Sequence, residues 1–158
     1  MKATEIIRIV IFGFLGFIFM FFVQPWMYEN RIIPIKDVPV GEWLSDSYTT
    51  GAGVVFAVSI LATVVWYVLA ANAKVTTAAE TDRWRVIWWV LLLLPIISIC
   101  LGISPVFNSS KDALVSLTGF YILDAIVILY WLPTGTSSPS LLMYIPPGAR
   151  LLRGIFGG

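Results

Sequence analysis

Four long apolar runs, nearly free of charge, alternate with short polar stretches along the chain. They cover about residues 9–26, 53–73, 84–103 and 113–132. Each comes close to the roughly 20 residues that an α-helix needs to cross the hydrocarbon core of a bilayer. The pattern predicts an all-α fold, an integral membrane bundle of four transmembrane helices forming a single membrane domain over 1–158. An outer loop is expected at 27–52 and a cytoplasmic tail at 133–158, with an interfacial C-terminal segment. Lys2 and Arg8 precede the first run, as in a secretory signal, but the following "QPWMYENR" lacks a small-x-small cleavage pattern. The expectation is therefore an uncleaved first helix.

Aromatic residues mark the ends of the runs. Trp26 and Tyr28, Trp66 and Tyr67, Trp84, Trp88 and Trp89, and Tyr130 and Trp131 all fall near predicted boundaries. Amphipathic rings favour the headgroup zone, so these residues read mostly as anchors. Orientation follows from Lys and Arg. With four spans, Lys2, Arg8, Lys74, Arg83, Arg85, Arg150 and Arg153 share one side, against Arg31, Lys36 and Lys111 on the other. That excess predicts both termini in the cytoplasm or on its equivalent, the stromal side of an internal membrane.

In the outer loop Pro34 and Pro39 favour extended backbone, and the segment is long enough to act as a lid or docking loop. The link around "NSSKDA" is short, so the third and fourth spans are expected to be antiparallel neighbours. In the tail, Leu151, Leu152, Ile155 and Phe156 surround Arg150 and Arg153. Such a segment can lie in the membrane interface with the two arginines as anchors near anionic headgroups. A frayed terminus is the other reading.

Composition sharpens this picture mainly by exclusion. The chain is 59% hydrophobic and 12% charged, against about 25% charged in soluble domains, and its mean hydropathy is +0.91. A net charge of +1 with no basic stripe argues against nucleic-acid binding. Histidine is absent and Cys100 is the single cysteine, which removes histidine-ligated haem, His-containing zinc sites, Ser-His-Asp triads and CxxC redox pairs from this chain. Cys100 reads as a small buried hydrophobe. No cofactor is identified. The acids Glu29, Asp37, Glu42, Asp46, Glu80 and Asp82 fall in expected loops, where solvated surface charge is the ordinary explanation.

One acid breaks the pattern. In "GFYILDAIVILYWLP", Asp124 falls close to the expected midplane of the fourth span. A carboxyl at that depth costs about 2.5–3.5 kcal/mol on insertion scales and tends to point into the bundle. Thr63 is expected at similar depth in the second span, with Ser59 one turn away on the same face. Pro95 is central in the third, where it frees the carbonyl of Leu91. Gly13 and Gly16 permit close helix packing from the first. The expectation is an intramembrane polar cluster of Asp124, Thr63 and the Leu91 carbonyl against the glycine face. In one reading a protonated Asp124 is hydrogen-bonding glue that fixes helix packing. In the other it carries a proton or cation, with an oligomer gathering several copies around one path. Glue is preferred, because one acid in four spans shows no pathway. Ligation of a pigment's metal by Asp124 is chemically allowed but supported by no spacing.

The tail "LPTGTSSPSLLMYIPPGARLLR", Leu132 to Arg153, together with the four-span layout, resembles small uncharacterised conserved membrane proteins of cyanobacteria. The resemblance implies a plasma or thylakoid membrane location and association with a photosynthetic or other large membrane assembly. It transfers no functional residues. The expected role is non-enzymatic: an accessory or scaffold subunit of a larger membrane protein complex. The alternative is a small proton-coupled transporter or channel that works as a homo-oligomer through Asp124.

Overall fold

The structure, a computed structural model, describes residues 3–36, 38–75, 77–139 and 141–156; Lys2 and Asp37 lie outside the described residues. Among the described residues there is no strand. Four helices are long and apolar enough to cross a membrane. They are α1 (Ala3–Glu29), α2 (Val40–Ala71), α3 (Ala78–Ser109) and α4 (Lys111–Ser137), followed by a short α5 (Ala149–Phe156). The membrane bundle expected from the apolar runs is the observed fold.

Helices α1, α3 and α4 overrun the predicted spans at both ends and α2 at its start, though α2 ends at Ala71 where 73 was expected, because hydropathy marks mainly the lipid-facing middles. The largest difference is at α2, which starts at Val40, inside the segment expected as a loop over 27–52. Pro39, extended at φ −60° and ψ 124°, stands just before the first turn. Its fixed φ suits a helix start. The following "GEWLSDSYTT" is too polar for a span yet carries a helical stripe. Trp43, Leu44 and Tyr48 are buried, whereas Ser45 and Asp46 face outward. Only 30–39 is left as a connection between α1 and α2.

A capping box begins α3. The Glu80 N–H donates to Thr77 Oγ1 at 3.3 Å, and the Thr77 N–H donates to Glu80 Oε2 at 3.1 Å. The helix continues through Pro95 and Pro105, and Ser98 Oγ donates to the Pro95 carbonyl at 2.7 Å. Where α2 crosses α3, a β-carbon added to Gly51 would overlap the backbone of Gly102. This glycine pair lets the two backbones touch.

The inward residues of α1 are Phe12, Gly16, Met20, Gln24 and Tyr28, one in every four. An ideal helix drifts about 40° per four-residue step. A wider π turn at Phe19–Val23 opposes that drift and keeps the line facing the bundle. Helix α1 is nonetheless the outlying one: 17% of its apolar window is buried, against 39%, 33% and 39% for α2, α3 and α4.

The tail departs most from expectation. Helix α4 runs on to Ser137, and Pro133 through Ser138 are all buried. The chain then turns back, and α5 packs Leu152 against Gly135, where a side chain would collide with it. Arg153 Nε donates to the Gly135 carbonyl at 3.3 Å, and its Nη2 donates to the carbonyl of Ser138. Arg8 Nη1 reaches the Thr136 carbonyl at 2.9 Å from α1. The tail therefore caps its own bundle, and its described part is not frayed. Arg153 is an internal clamp rather than an interfacial anchor. Arg150 stays exposed, stacked 5.4 Å above the Tyr144 ring.

Several expected anchors are core residues for the same reason. Trp66 Nε1 donates to Ser138 Oγ at 2.9 Å and Trp88 Nε1 to Thr134 Oγ1 at 3.1 Å, both buried inside the capped end. Trp26 and Trp89 are exposed, as anchors should be. Cys100, expected to be buried, faces outward from α3.

Candidate functional site

The polar interior divides at the depth of Asp124. Toward the termini, each buried side-chain donor among the described residues finds an acceptor. Besides the two tryptophans, Tyr130 Oη donates to the Trp88 carbonyl at 2.7 Å, Thr63 Oγ1 to the Leu129 carbonyl at 2.5 Å, and Ser59 Oγ to its own helix at Val55, 2.7 Å away. Thr63 thus belongs to the layer below Asp124, since Leu129 is more than a turn closer to the terminal end. The expected bonds from Asp124 and Thr63 to the Leu91 carbonyl do not form. Pro95 is buried on the inner face of α3, where its carbonyl accepts from Ser98.

Asp124 is fully buried on α4, within a π-helical stretch at Ile122–Trp131. Gly16 of α1 makes room for it: a β-carbon there would overlap Leu129 and lie 3.1 Å from Asp124 Oδ1. Of the expected cluster, only this pairing of Asp124 with the glycine face is formed. Gly13 lies one turn away against Ile60, whose Cδ1 would be 3.3 Å from an added β-carbon. Neither carboxyl oxygen of Asp124 has a hydrogen-bond partner among the described protein groups.

Beyond Asp124, toward the end opposite the termini, lies a group of residues that the sequence pattern leaves unmarked, apart from Tyr28, an expected anchor that is fully buried. Tyr48 of α2 donates its hydroxyl to the Met20 carbonyl, and Gln24 Oε1 lies 2.9 Å from the Tyr48 hydroxyl oxygen as a second acceptor. The Tyr121 hydroxyl is 3.5 Å from the Tyr48 carbonyl, and Tyr28 Oη is 3.3 Å from Ser116 Oγ. The rings of Tyr28, Trp43 and Tyr48 form a triangle with centroids 4.9, 5.8 and 6.1 Å apart, and the Tyr121 ring lies 6.2 Å from that of Tyr48. The one sequence signal for this group is Gln24, a lone amide in "FFVQPW" on the four-residue line of α1.

Three π segments, Phe19–Val23, Leu44–Tyr48 and Ile122–Trp131, border this region from three helices. A π turn loosens the regular ladder and commonly occurs at functional sites. Here the Met20 and Leu129 carbonyls, both in π segments, accept hydroxyls from α2.

The ligand chemistry is narrow. Among the described residues no group of three His, Cys, Asp or Glu could hold a metal ion, and a divalent cation needs about six oxygens. Enclosed by Gly16 and Leu129, Asp124 has no open face for a pigment's metal. A proton asks for nothing beyond the carboxyl itself.

Fold and site together define a helical membrane bundle with one occluded acid at mid-depth. No protein-family model, curated protein or solved structure matches the chain.

Proposed function

We propose that this chain is a non-enzymatic, proton-handling membrane protein of the transporter or channel class, in which Asp124 takes up and releases a proton inside a single bundle. The observation that carries this reading is the pair of Asp124 oxygens, fully buried without a hydrogen bond to any other helix. Glue needs a bond between helices, and Asp124 makes none. A carboxyl kept at that depth at a cost of about 2.5–3.5 kcal/mol, with no structural return, is better explained by its chemistry. Because Asp124 faces Gly16 within its own chain, the site needs no ring of copies. In liposomes loaded with a pH-sensitive dye, the wild-type protein should pass protons, and Asp124→Asn should lose that flux while eluting unchanged in detergent. Equal flux in the two proteins would overturn the reading.

A second reading is favoured by a separate observation, the exposure of α1. Phe14, Phe22 and Trp26 are each more than half exposed along that helix, and an aromatic ridge of this kind suits docking into a larger assembly. As an accessory or scaffold subunit of a bacterial plasma or thylakoid membrane complex, the protein would co-purify stoichiometrically with its partners through a tag after Gly158. Recovery as a partner-free species argues against it. In either case the excess of Lys and Arg at the terminal end supports cytoplasmic or stromal termini.

A further inference from the structure

The buried polar atoms without a protein partner are distributed unevenly. Among the described residues they are Gln24 Nε2, Trp43 Nε1, Ser110 Oγ and both carboxyl oxygens of Asp124. All five lie at the depth of Asp124 or between it and the end opposite the termini. The other half of the bundle has none, and its indoles, phenols and hydroxyls close on one another or on carbonyls. Buried polar atoms almost always find a partner, in protein or in ordered water. The orphans therefore mark where water belongs.

We infer that in the observed state Asp124 exchanges its proton with the face opposite the termini, through a hydrated polar route of Tyr121, Tyr48, Gln24, Tyr28 and Ser116, while the terminal half is a dry seal that must open before a proton can cross. The inference rests on the proton-handling reading above and adds direction to it.

The route is suited to the task. Phenol, amide and hydroxyl groups both donate and accept, and single waters bridge them where direct contact is too long. One detail fits a hydrated route in particular. The single hydroxyl proton of Tyr48 faces two acceptors, the Met20 carbonyl and Gln24 Oε1, and serves one at a time. On the other side of Asp124, the Leu129 side chain fills the space against Gly16, and the Leu129 carbonyl is held by Thr63. Below that stand Ala62, Trp66, Trp88 and Tyr130, tightly buried.

Few other groups in the interior titrate. Helix α1 presents Gly16, Met20, Gln24 and Tyr28. Helix α2 contributes Tyr48, and α4 contributes Tyr121. Helix α3 turns Ile99, Gly102 and Val106 inward at this level, none of them titratable. At the mouth, Lys36 and Asp112 form an exposed pair at 4.0 Å. The step is a simple proton transfer. Hydronium at that face gives up a proton, the Asp124 carboxylate becomes a neutral acid, and the proton leaves on the terminal side once the seal at Leu129 opens.

The test uses full-length protein in liposomes, sorted to one orientation through a tag after Gly158. Infrared spectroscopy follows the carboxyl band that Asp124→Asn lacks, after a pH jump on one side or the other. The band should respond promptly to a jump at the face opposite the termini and at least tenfold more slowly to a jump at the terminal face. Tyr48→Phe should slow the prompt response several-fold. Leu129→Ala, which leaves the polar route intact, should speed the response to the terminal face. Equally fast responses to both faces in the wild type, or a faster one from the terminal face, overturn the inference but leave the proton-handling reading standing. A band that titrates from neither face overturns both.

Discussion

A hydrogen-bonded acid and an unbonded one have opposite effects when they are replaced. If Asp124 held the helices together, leucine in its place would loosen them. The observed carboxyl bonds to no other helix, so Asp124→Leu breaks no interhelical bond and removes the cost of keeping a carboxyl at that depth, about 2.5–3.5 kcal/mol on insertion scales. Leucine is also close to aspartate in length. The expected result is an unfolding midpoint in detergent equal to or above the wild type, together with loss of proton flux. A clear drop in stability would restore the packing role. Stability and function are thus separable at this one position, which a packing residue does not allow. The sequence marks Asp124 as anomalous because charge is so rare in the runs. It does not mark Tyr48 or Tyr121, since a tyrosine in or beside a membrane span is read as an anchor until its neighbours are known.

Among the elements, the helix starts and the tail carry the surprises. Polar stretches such as "GEWLSDSYTT" fold into helix when one stripe is buried and the hydroxyls bond within the helix. Ser45 donates to the Glu42 carbonyl and Thr49 to that of Leu44, at 2.9 and 2.7 Å. Hydropathy does not register that arrangement. The tail holds its place through a few bonds to backbone carbonyls. Burial, and after it the nearby Arg8 charge, pull the Arg153 guanidinium below its ordinary pKa. The two arginines therefore crowd one cluster of carbonyls at the end of α4. Arg153→Ala frees the carbonyls of Gly135 and Ser138 and should lower bundle stability by about 1.5–3 kcal/mol, the range for bonds to charged groups. Limited proteolysis should then cut after Ser138 more readily. Arg150→Ala, which removes only a surface stacking contact, should leave both measurements near wild type. An interfacial-anchor role would instead give both variants similar losses of membrane affinity.

For the whole molecule, an even number of crossings returns the chain to the side where it began. The Arg8–Thr136 and Tyr67–Glu5 bonds, at 2.9 and 2.8 Å, gather α1, α2 and α4 at that end. Reporter fusions at residue 158 and in the 72–77 link should both report the cytoplasm, and one in the 30–39 link the opposite compartment. Discordant reporters at the first two sites would break the four-span topology. The apolar runs alone determined the number of crossings, the all-helical class and the anomaly at Asp124, because length and hydropathy suffice to identify a helix that lipid can surround. Which residues meet inside was decided only by the tertiary structure. Helix rotation and depth depend on where α2 begins, on the π turns that reset the face of α1, and on a tail that folds back, and none of these leaves a hydropathy signal. Thr63 therefore sits a layer below the acid it was expected to join. Gln24, Tyr48 and Tyr121 lie on the side of that acid where the bundle keeps its unpaired polar atoms.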